Sequence, residues 1–305
     1  MSIPRRVLGS TGVEVSVLGY GAMELRGGDH GPAIDDGDAG ALLNAVLDGG
    51  IDLIDTSIDY GRSEELIGRY LADRRDEYFL ASKCGCMLDL AVNATPPYPH
   101  DWSAANVRAG VEQSLRRLRT DRLDLVQVHL SPTREQMAAD GTIEEMMALR
   151  AEGKVRFIGM SGIIPNLADH IAMGVFDVFQ IPYSAVQREH EELVARASGS
   201  GAGVLVRGGV ARGATAEEKA WAPQTIGLAE GEAQRRWELA ELDDLLDGMS
   251  RHEFVLRFTI SNPGLSSTIV GTSKIEHLQS NLAIAAKGPL PPGLYEEARR
   301  RLPSG

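Results

Sequence analysis

The sequence predicts a (β/α)8 TIM barrel, an α/β fold formed as a single domain over residues 1–305. Three observations carry that expectation. Short apolar runs of strand character alternate with amphipathic helical stretches nearly from end to end. Eight such runs occur, each followed by a helical stretch, which is the count for a closed barrel. The length of 305 residues suits one barrel of about 250 residues plus insertions, with no convincing linker or repeat.

The elements follow in chain order. Arg5–Val15 holds LGSTG between two β-prone runs and reads as an N-terminal β-hairpin covering the barrel bottom. The strand runs are Val15–Tyr20, Ile51–Asp55, Tyr78–Lys83, Leu123–His129, Val155–Ser161, Asp177–Ile181, Gly203–Val206 and Ser267–Val270. Helical periodicity places helices near Asp38–Asp48, Ser63–Leu71, Ala104–Leu118, Ile143–Ala151, Asn166–Met173, Glu189–Ala197 and Phe254–Ser261, with a last one over Lys274–Ala286. Ala104–Leu118 is the clearest: Val107, Val111, Leu115 and Leu118 make one apolar stripe, and Ser103 is placed to cap it. Residues 207–250 exceed a normal connection and contain Gly208, Gly209, Gly213, Trp221, Pro223 and Trp237. A long loop/helix insertion after strand 7 is expected there, a partly ordered lid with helix over 230–248.

Composition narrows the function. A net charge of −12 opposes general binding to nucleic acid or an anionic membrane. No apolar run approaches the roughly 20 residues of a membrane span, and MSIPRRVLGSTG has no apolar region of a secretory signal. The two cysteines, Cys84 and Cys86, are too close to staple a fold, so reduced thiols and a cytoplasmic location are expected. They resemble half a metal site without a second Cys pair, and HEELV at 190–194 lacks the second histidine of a zinc motif, so no metal is expected. No pattern sets an oligomeric state.

The chemistry lies at successive strand ends. IDLIDTSIDYG carries Asp55 and Tyr60, YFLASKCG carries Lys83, and LDLVQVHL ends on His129. In a parallel barrel those ends and the following loops build the site. Taken singly, each has a plainer role: a turn aspartate, a packed tyrosine, a rim lysine, a core histidine. Together they form a proton-transfer centre. A lysine ammonium beside a phenol favours the phenolate, Asp55 would hold that ammonium, and His129 could orient a substrate oxygen toward Tyr60.

Those motifs, with SLRRLRTDRLDLVQVHL, GKVRFIGMSG and IVGTSKIEHLQSNLAIA, resemble the aldo-keto reductases from about Arg6 to Leu302. The resemblance implies a nicotinamide nucleotide bound on a barrel and a catalytic tetrad of Asp55, Tyr60, Lys83 and His129. It places Ser161 and Gln180 near the carboxamide, with Gly162 where relatives have Asn, and Tyr183 as the aromatic that stacks on the nicotinamide. GTSKIEHLQSN resembles the adenosine-phosphate segment: Gly271 and the helix N-terminus for a phosphate, Ser273 and Lys274 for a 2′-phosphate, His277 and Asn281 for the adenine ribose. Arg207, Gly208 and Gly209 replace the usual residues over the pyrophosphate, with Arg212 a further basic candidate. Met23, which closes the cofactor set, joins Leu25, Ile58, Met87 and Trp102 as expected pocket residues.

The expected activity is NADP(H)-dependent reduction of aldehydes or ketones to alcohols, reversible, with Tyr60 as general acid. NAD(H) is possible, as in a sugar or polyol dehydrogenase on the same scaffold. A nucleotide-binding redox-sensing subunit with little turnover is a third reading, and a lyase using Lys83 as a Schiff-base former a fourth. The partner is a small-molecule carbonyl or alcohol.

Overall fold

The computed structural model describes residues 2–27, 34–87, 99–210 and 231–302. The hairpin forms as predicted, β1 (Arg5–Val7) pairing antiparallel with β2 (Glu14–Ser16) around a 3-10 turn at Gly9–Thr11. The barrel strands are β3 (Leu18–Gly21), β4 (Leu53–Asp55), β5 (Phe79–Cys84), β6 (Leu123–His129), β7 (Val155–Ser161), β8 (Val178–Pro182), β9 (Gly203–Arg207) and β10 (Ser267–Val270). All eight are parallel and close in sequence order, β10 pairing back onto β3. One expectation needs correction. The run Val15–Tyr20 is two strands: Val17 donates its N–H to Pro4 of the hairpin and accepts from Thr268 N of the barrel, so the chain changes partner there.

The helices are α1 (Asp36–Asp48), α2 (Ser63–Leu71), α3 (Ala104–Leu118), α4 (Arg134–Asp140), α5 (Thr142–Ala151), α6 (Leu167–Met173), α7 (Glu191–Gly199), α8 (Glu232–Leu239), α9 (Arg251–Ser261), α10 (Ile275–Ala286) and α11 (Pro292–Arg301). Ser103 caps α3 by accepting from Asn106 N, and Val107, Val111 and Leu118 are buried on its inner face. Helices α4 and α11 were not anticipated. Both carry local signals: Thr133 and Gln136 have capping-box spacing, with Thr133 accepting from Gln136 N, and Pro292 opens α11 at N1.

Two layers of apolar packing result. Between barrel and helices lies the main core. Inside the barrel, Leu53, Phe79, Ala81, Leu125, Val178, Leu205 and Ile269 meet Leu8 and Val15 of the hairpin. The hairpin sits at the N-terminal ends of the strands: Ser10 N donates to Gly201 O, and Arg6 donates to the carbonyls of Ile260, Asn262 and Leu265. Gly9 has φ +54, and a Cβ there would stand 2.2 Å from Gly203 N, so only glycine permits this approach. With its bottom plugged, the barrel has its chemistry at the other end.

The expected lid is corrected in part. Helix α8 and a 3-10 turn at Leu242–Leu245 replace one helix over 230–248. Trp237 is fully buried, edge-on to Phe254 of α9, so this stretch is anchored in the helix layer. Arg212, Gly213, Trp221 and Pro223 lie outside the described residues. No helix among the described residues is long and apolar enough to cross a membrane.

Candidate active site

Strand register brings the predicted tetrad together. Asp55 ends β4, Lys83 lies near the end of β5 and His129 ends β6, while Tyr60 follows β4 in the loop before α2. Lys83 and Asp55 are both buried, and Lys83 Nζ donates to Asp55 Oδ2 at 2.7 Å and to Thr56 O at 2.8 Å. The same ammonium lies 4.8 Å from the Tyr60 ring centroid, close enough for its charge to act on the phenol. Burial pulls the Lys83 ammonium toward deprotonation, but Asp55, Tyr60 and Asp59 together outweigh it and leave its pKa raised.

Tyr60 behaves differently from the simplest expectation. Burial raises its pKa above the ordinary 10.0, Lys83 opposes that, and Asp55 and Asp59 add to it, so the net direction is upward. Lys83 therefore moderates the phenol without making it acidic in this state. The hydroxyl stays protonated at neutral pH.

His129 is neutral. Burial lowers its pKa to about 3, with Lys83, His100 and Arg207 pushing the same way and Asp59 opposing. Trp102 Nε1 donates to the His129 carbonyl at 2.9 Å. The chain then turns sharply through Leu130 and Ser131, both with positive φ (64 and 58), an uncommon conformation for residues with a Cβ.

Asp55 is held by more than lysine. Gln127 Nε2 and Gln180 Nε2 both donate to its Oδ1, at 3.0 and 2.8 Å, and Ser161 donates to Gln180 Oε1 at 3.2 Å. Ser161 and Gln180 thus join the network beneath the tetrad. Gly162 donates its N–H to Gln180 O, and a Cβ there would crowd Leu167 and Met160 at 3.0 and 3.1 Å. An asparagine at this position would displace its neighbours.

Tyr183 requires correction. Its ring is wholly buried in the helix layer, stacked with Phe258, and its hydroxyl donates to Glu191 Oε1. It turns no face to the site. Arg207, paired in register with Pro182, stands at the neighbouring strand end, close enough to interact with Tyr60, Asp55 and His129. Its buried Nε has no hydrogen-bond partner among the described residues.

On the far side of the mouth, Gly271 approaches Gly21 so closely that a Cβ would lie 2.9 Å from Gly21 O. Met23 is half-buried in the 3-10 turn that follows β3. Lys274 is the N-cap residue of α10, exposed like His277, with Ser273 half-buried beside it. Asn281, expected with His277 at the adenine ribose, is buried toward α9, where His252 Nε2 donates to its Oδ1 at 2.6 Å. Of the expected pocket residues, Leu25 and Ile58 are buried in the core, whereas Met87 is exposed and Trp102 half-buried beside His129.

Four nearby residues were missed. Gln127 lies two residues before His129 on the same strand face, so the strand period could have found it. Asp59, Cys86 and His100 cluster around the His129 ring, with Cys86 Sγ at 3.2 Å and His100 Nε2 at 3.3 Å from Nδ1, and Asp59 Oδ2 at 3.7 Å. Nothing local in the sequence announces that cluster, since it joins three chain segments.

The site is a buried amine–phenol–carboxylate relay beside a neutral imidazole, able to pass a proton to or from an oxygen. Comparison with known proteins gives the family. The Aldo/keto reductase family model matches residues 17–299. L-galactose dehydrogenase of Arabidopsis thaliana is 30% identical, over 92% of this chain and 88% of its own length. The uncharacterized oxidoreductase YqkF of Bacillus subtilis is 28% identical, over 92% of this chain and 90% of its own. The solved holo form of aldo-keto reductase AKR11C1 from Bacillus halodurans superposes with a TM-score of 0.85 at 26% identity, covering 99% of this chain and 97% of that one. The chain therefore belongs to the aldo/keto reductase family and is an oxidoreductase.

Proposed function

We propose that the protein is an NADP(H)-dependent carbonyl reductase, converting aldehydes or ketones to alcohols reversibly, with Tyr60 as general acid. The observation that supports it is the Lys83 ammonium, bonded to Asp55 and set over the Tyr60 ring, one strand from a neutral His129. A protonated phenol is the form that can give up a proton. As Tyr60 releases it to a developing alkoxide, Lys83 stabilises the phenolate left behind. Asp55, gripped by Gln127 and Gln180, keeps Lys83 in place. His129, neutral, can hydrogen-bond a carbonyl oxygen without adding a competing charge.

The chain's residues fit a dinucleotide. Arg207 offers a guanidinium with a buried, unpartnered Nε, Gly271 leaves backbone uncovered at the mouth, and Ser273, Lys274 and His277 stand at the N-terminus of α10. Lys274 is the group we assign to a 2′-phosphate, which favours NADP(H). When bound, the nicotinamide supplies the hydride. Two buried free thiols, Cys84 and Cys86, accord with a cytoplasmic setting.

The decisive test is Tyr60→Phe. It should keep NADPH binding, read by fluorescence, and lose about 10²–10⁴-fold of turnover across an aldehyde and ketone panel. Unchanged turnover would overturn the assignment of the acid. Cofactor retention by the wild type with no turnover on any panel member would favour the regulatory reading instead.

A second reading, an NAD-dependent sugar or polyol dehydrogenase, is favoured by the polar groups beside His129, Asp59 and His100, and by the likeness to L-galactose dehydrogenase. Michaelis constants for NAD and NADP with aldoses as well as simple aldehydes separate the two.

A further inference from the structure

The cluster around His129 has a composition the proton relay does not call for. Asp59, Cys86, His100 and His129 each direct one possible ligand atom to a common centre, and these four atoms lie within 4.8 Å of one another. In a tetrahedral zinc site, metal–ligand bonds of about 2.0–2.3 Å place neighbouring ligand atoms roughly 3.3–3.8 Å apart. The separations here, measured from His129 Nδ1, are 3.2 Å to Cys86 Sγ, 3.3 Å to His100 Nε2 and 3.7 Å to Asp59 Oδ2. Three edges of the tetrahedron already have nearly the right length.

A second observation points to a ligand. The Asp59 side chain is only 8% exposed, and its Oδ1 is buried without a hydrogen-bond partner among the described residues. Charge agrees too: one carboxylate, one thiolate and two neutral imidazoles balance a dication, so the filled site would be neutral in a partly buried setting. The chain also prepares the geometry. Cys86 and His100 face each other across an antiparallel bridge, with Met87 N donating to Pro99 O and Asp101 N to Gly85 O. His100 stacks on Trp102, which in turn donates to the His129 carbonyl.

We propose that Asp59, Cys86, His100 and His129 form a closed four-ligand site for one zinc-class divalent cation. Thiolate and imidazole donors select Zn²⁺ over Mg²⁺ or Ca²⁺. On coordination the Cys86 sulfur exchanges its proton for the metal, and that proton passes to buffer. With four protein ligands no position is left for a carbonyl oxygen, so the cation acts as a clip and not as a Lewis acid. It ties the loop after β4, the 86–100 bridge and the end of β6 to one point. Nδ1 of His129 is the ligand atom, and metallation there leaves the ring proton on Nε2.

The test uses the full chain, stripped with chelator and titrated with Zn²⁺ by calorimetry, and with Co²⁺ by absorption. Expected are one cation per chain, a thiolate-to-cobalt charge-transfer band with tetrahedral visible bands, and a rise of Tm with Zn²⁺. Cys86→Ser and His100→Gln, each shown folded by circular dichroism, should weaken Zn²⁺ by more than the roughly 10–100-fold that loss of an outer-shell partner costs. Neither should show the Tm rise, and C86S should lose the charge-transfer band. No uptake by the wild type, or wild-type affinity in both variants, would overturn the proposal. None of these readouts uses turnover, so their failure would leave the reductase reading untouched.

Discussion

The two ends of the barrel solve opposite problems with the same eight strands. At the bottom, Leu8 and Val15 of the hairpin close over Leu53, Phe79, Leu125, Val178 and Leu205, and Arg6 is satisfied by three backbone carbonyls. At the top, Asp55, Asp59, Lys83, His129 and Arg207 crowd one region, and burial works against the charge of each group whose shift is resolved. Asp59 Oδ1, Gln127 Oε1 and Arg207 Nε have no partner among the described residues. The bottom is closed by apolar packing, while the unsatisfied groups at the top are ones a ligand can use. Leu130 and Ser131, in the left-handed region directly after His129, fit the same division, since strain collects where function needs a fixed geometry.

The comparison breaks most sharply on Lys83→Met. Turnover should fall by about 10²–10⁴-fold. Stability should fall as well, by about 3–5 kcal/mol, because Asp55 is left buried without its cation. The double variant Asp55→Asn/Lys83→Met should recover much of that stability while staying inactive. If denaturation midpoints of the single and double variants coincide, the pair is not what makes the top costly.

The matching change at the bottom is Leu8→Ala. Its side chain is fully buried against Gly203, so we expect a loss of about 2–5 kcal/mol with kcat unaltered. An equal loss of turnover would show that the two ends are coupled. Smaller still is Lys274→Ala, which should cost about 1.5–3 kcal/mol of NADP(H) binding and leave NAD(H) nearly unchanged. A parallel loss for both nucleotides would remove Lys274 from the 2′-phosphate.

Around neutrality the smallest effect is that of pH. Burial lowers His129 to about 3 and His190 to about 4 from an ordinary 6.5. Below pH 6.5 the unfolded chain binds protons that these folded imidazoles refuse. Their contribution is therefore complete above that pH and is lost as pH falls toward 4 and then 3. Urea midpoints measured across this window should drop, and His190→Asn should flatten part of the slope. A midpoint independent of pH would contradict the buried neutral histidines.

Most of the framework was legible in the chain because the signals are local. Short apolar runs bounded by polar ends marked all eight barrel strands, and Ala104–Leu118 declared its helix by stripe and cap. The failures are instructive. Val15–Tyr20 looked like one strand, because an apolar run does not record a change of pairing partner at Val17. Tyr183 matched the family's nicotinamide platform by position, but a match in sequence says nothing about which side of the wall the ring takes. Asp124 shows the same limit in the framework: it bridges Arg75 and Arg156 and accepts from Leu80 N, contacts from three separate segments.

The order of strands and helices, and the placing of an acid, a phenol, an amine and an imidazole at successive strand ends, were determined by sequence alone, since each depends on neighbours a few residues away. The tertiary structure decided what distance along the chain conceals. It set the balance by which burial outweighs Lys83 at Tyr60, and it aimed Arg207 at the mouth and Tyr183 away from it. It also gathered Asp59, Cys86 and His100 around His129. Burial and convergence are properties of a closed barrel, and they exist only once residues tens of positions apart share one end of it.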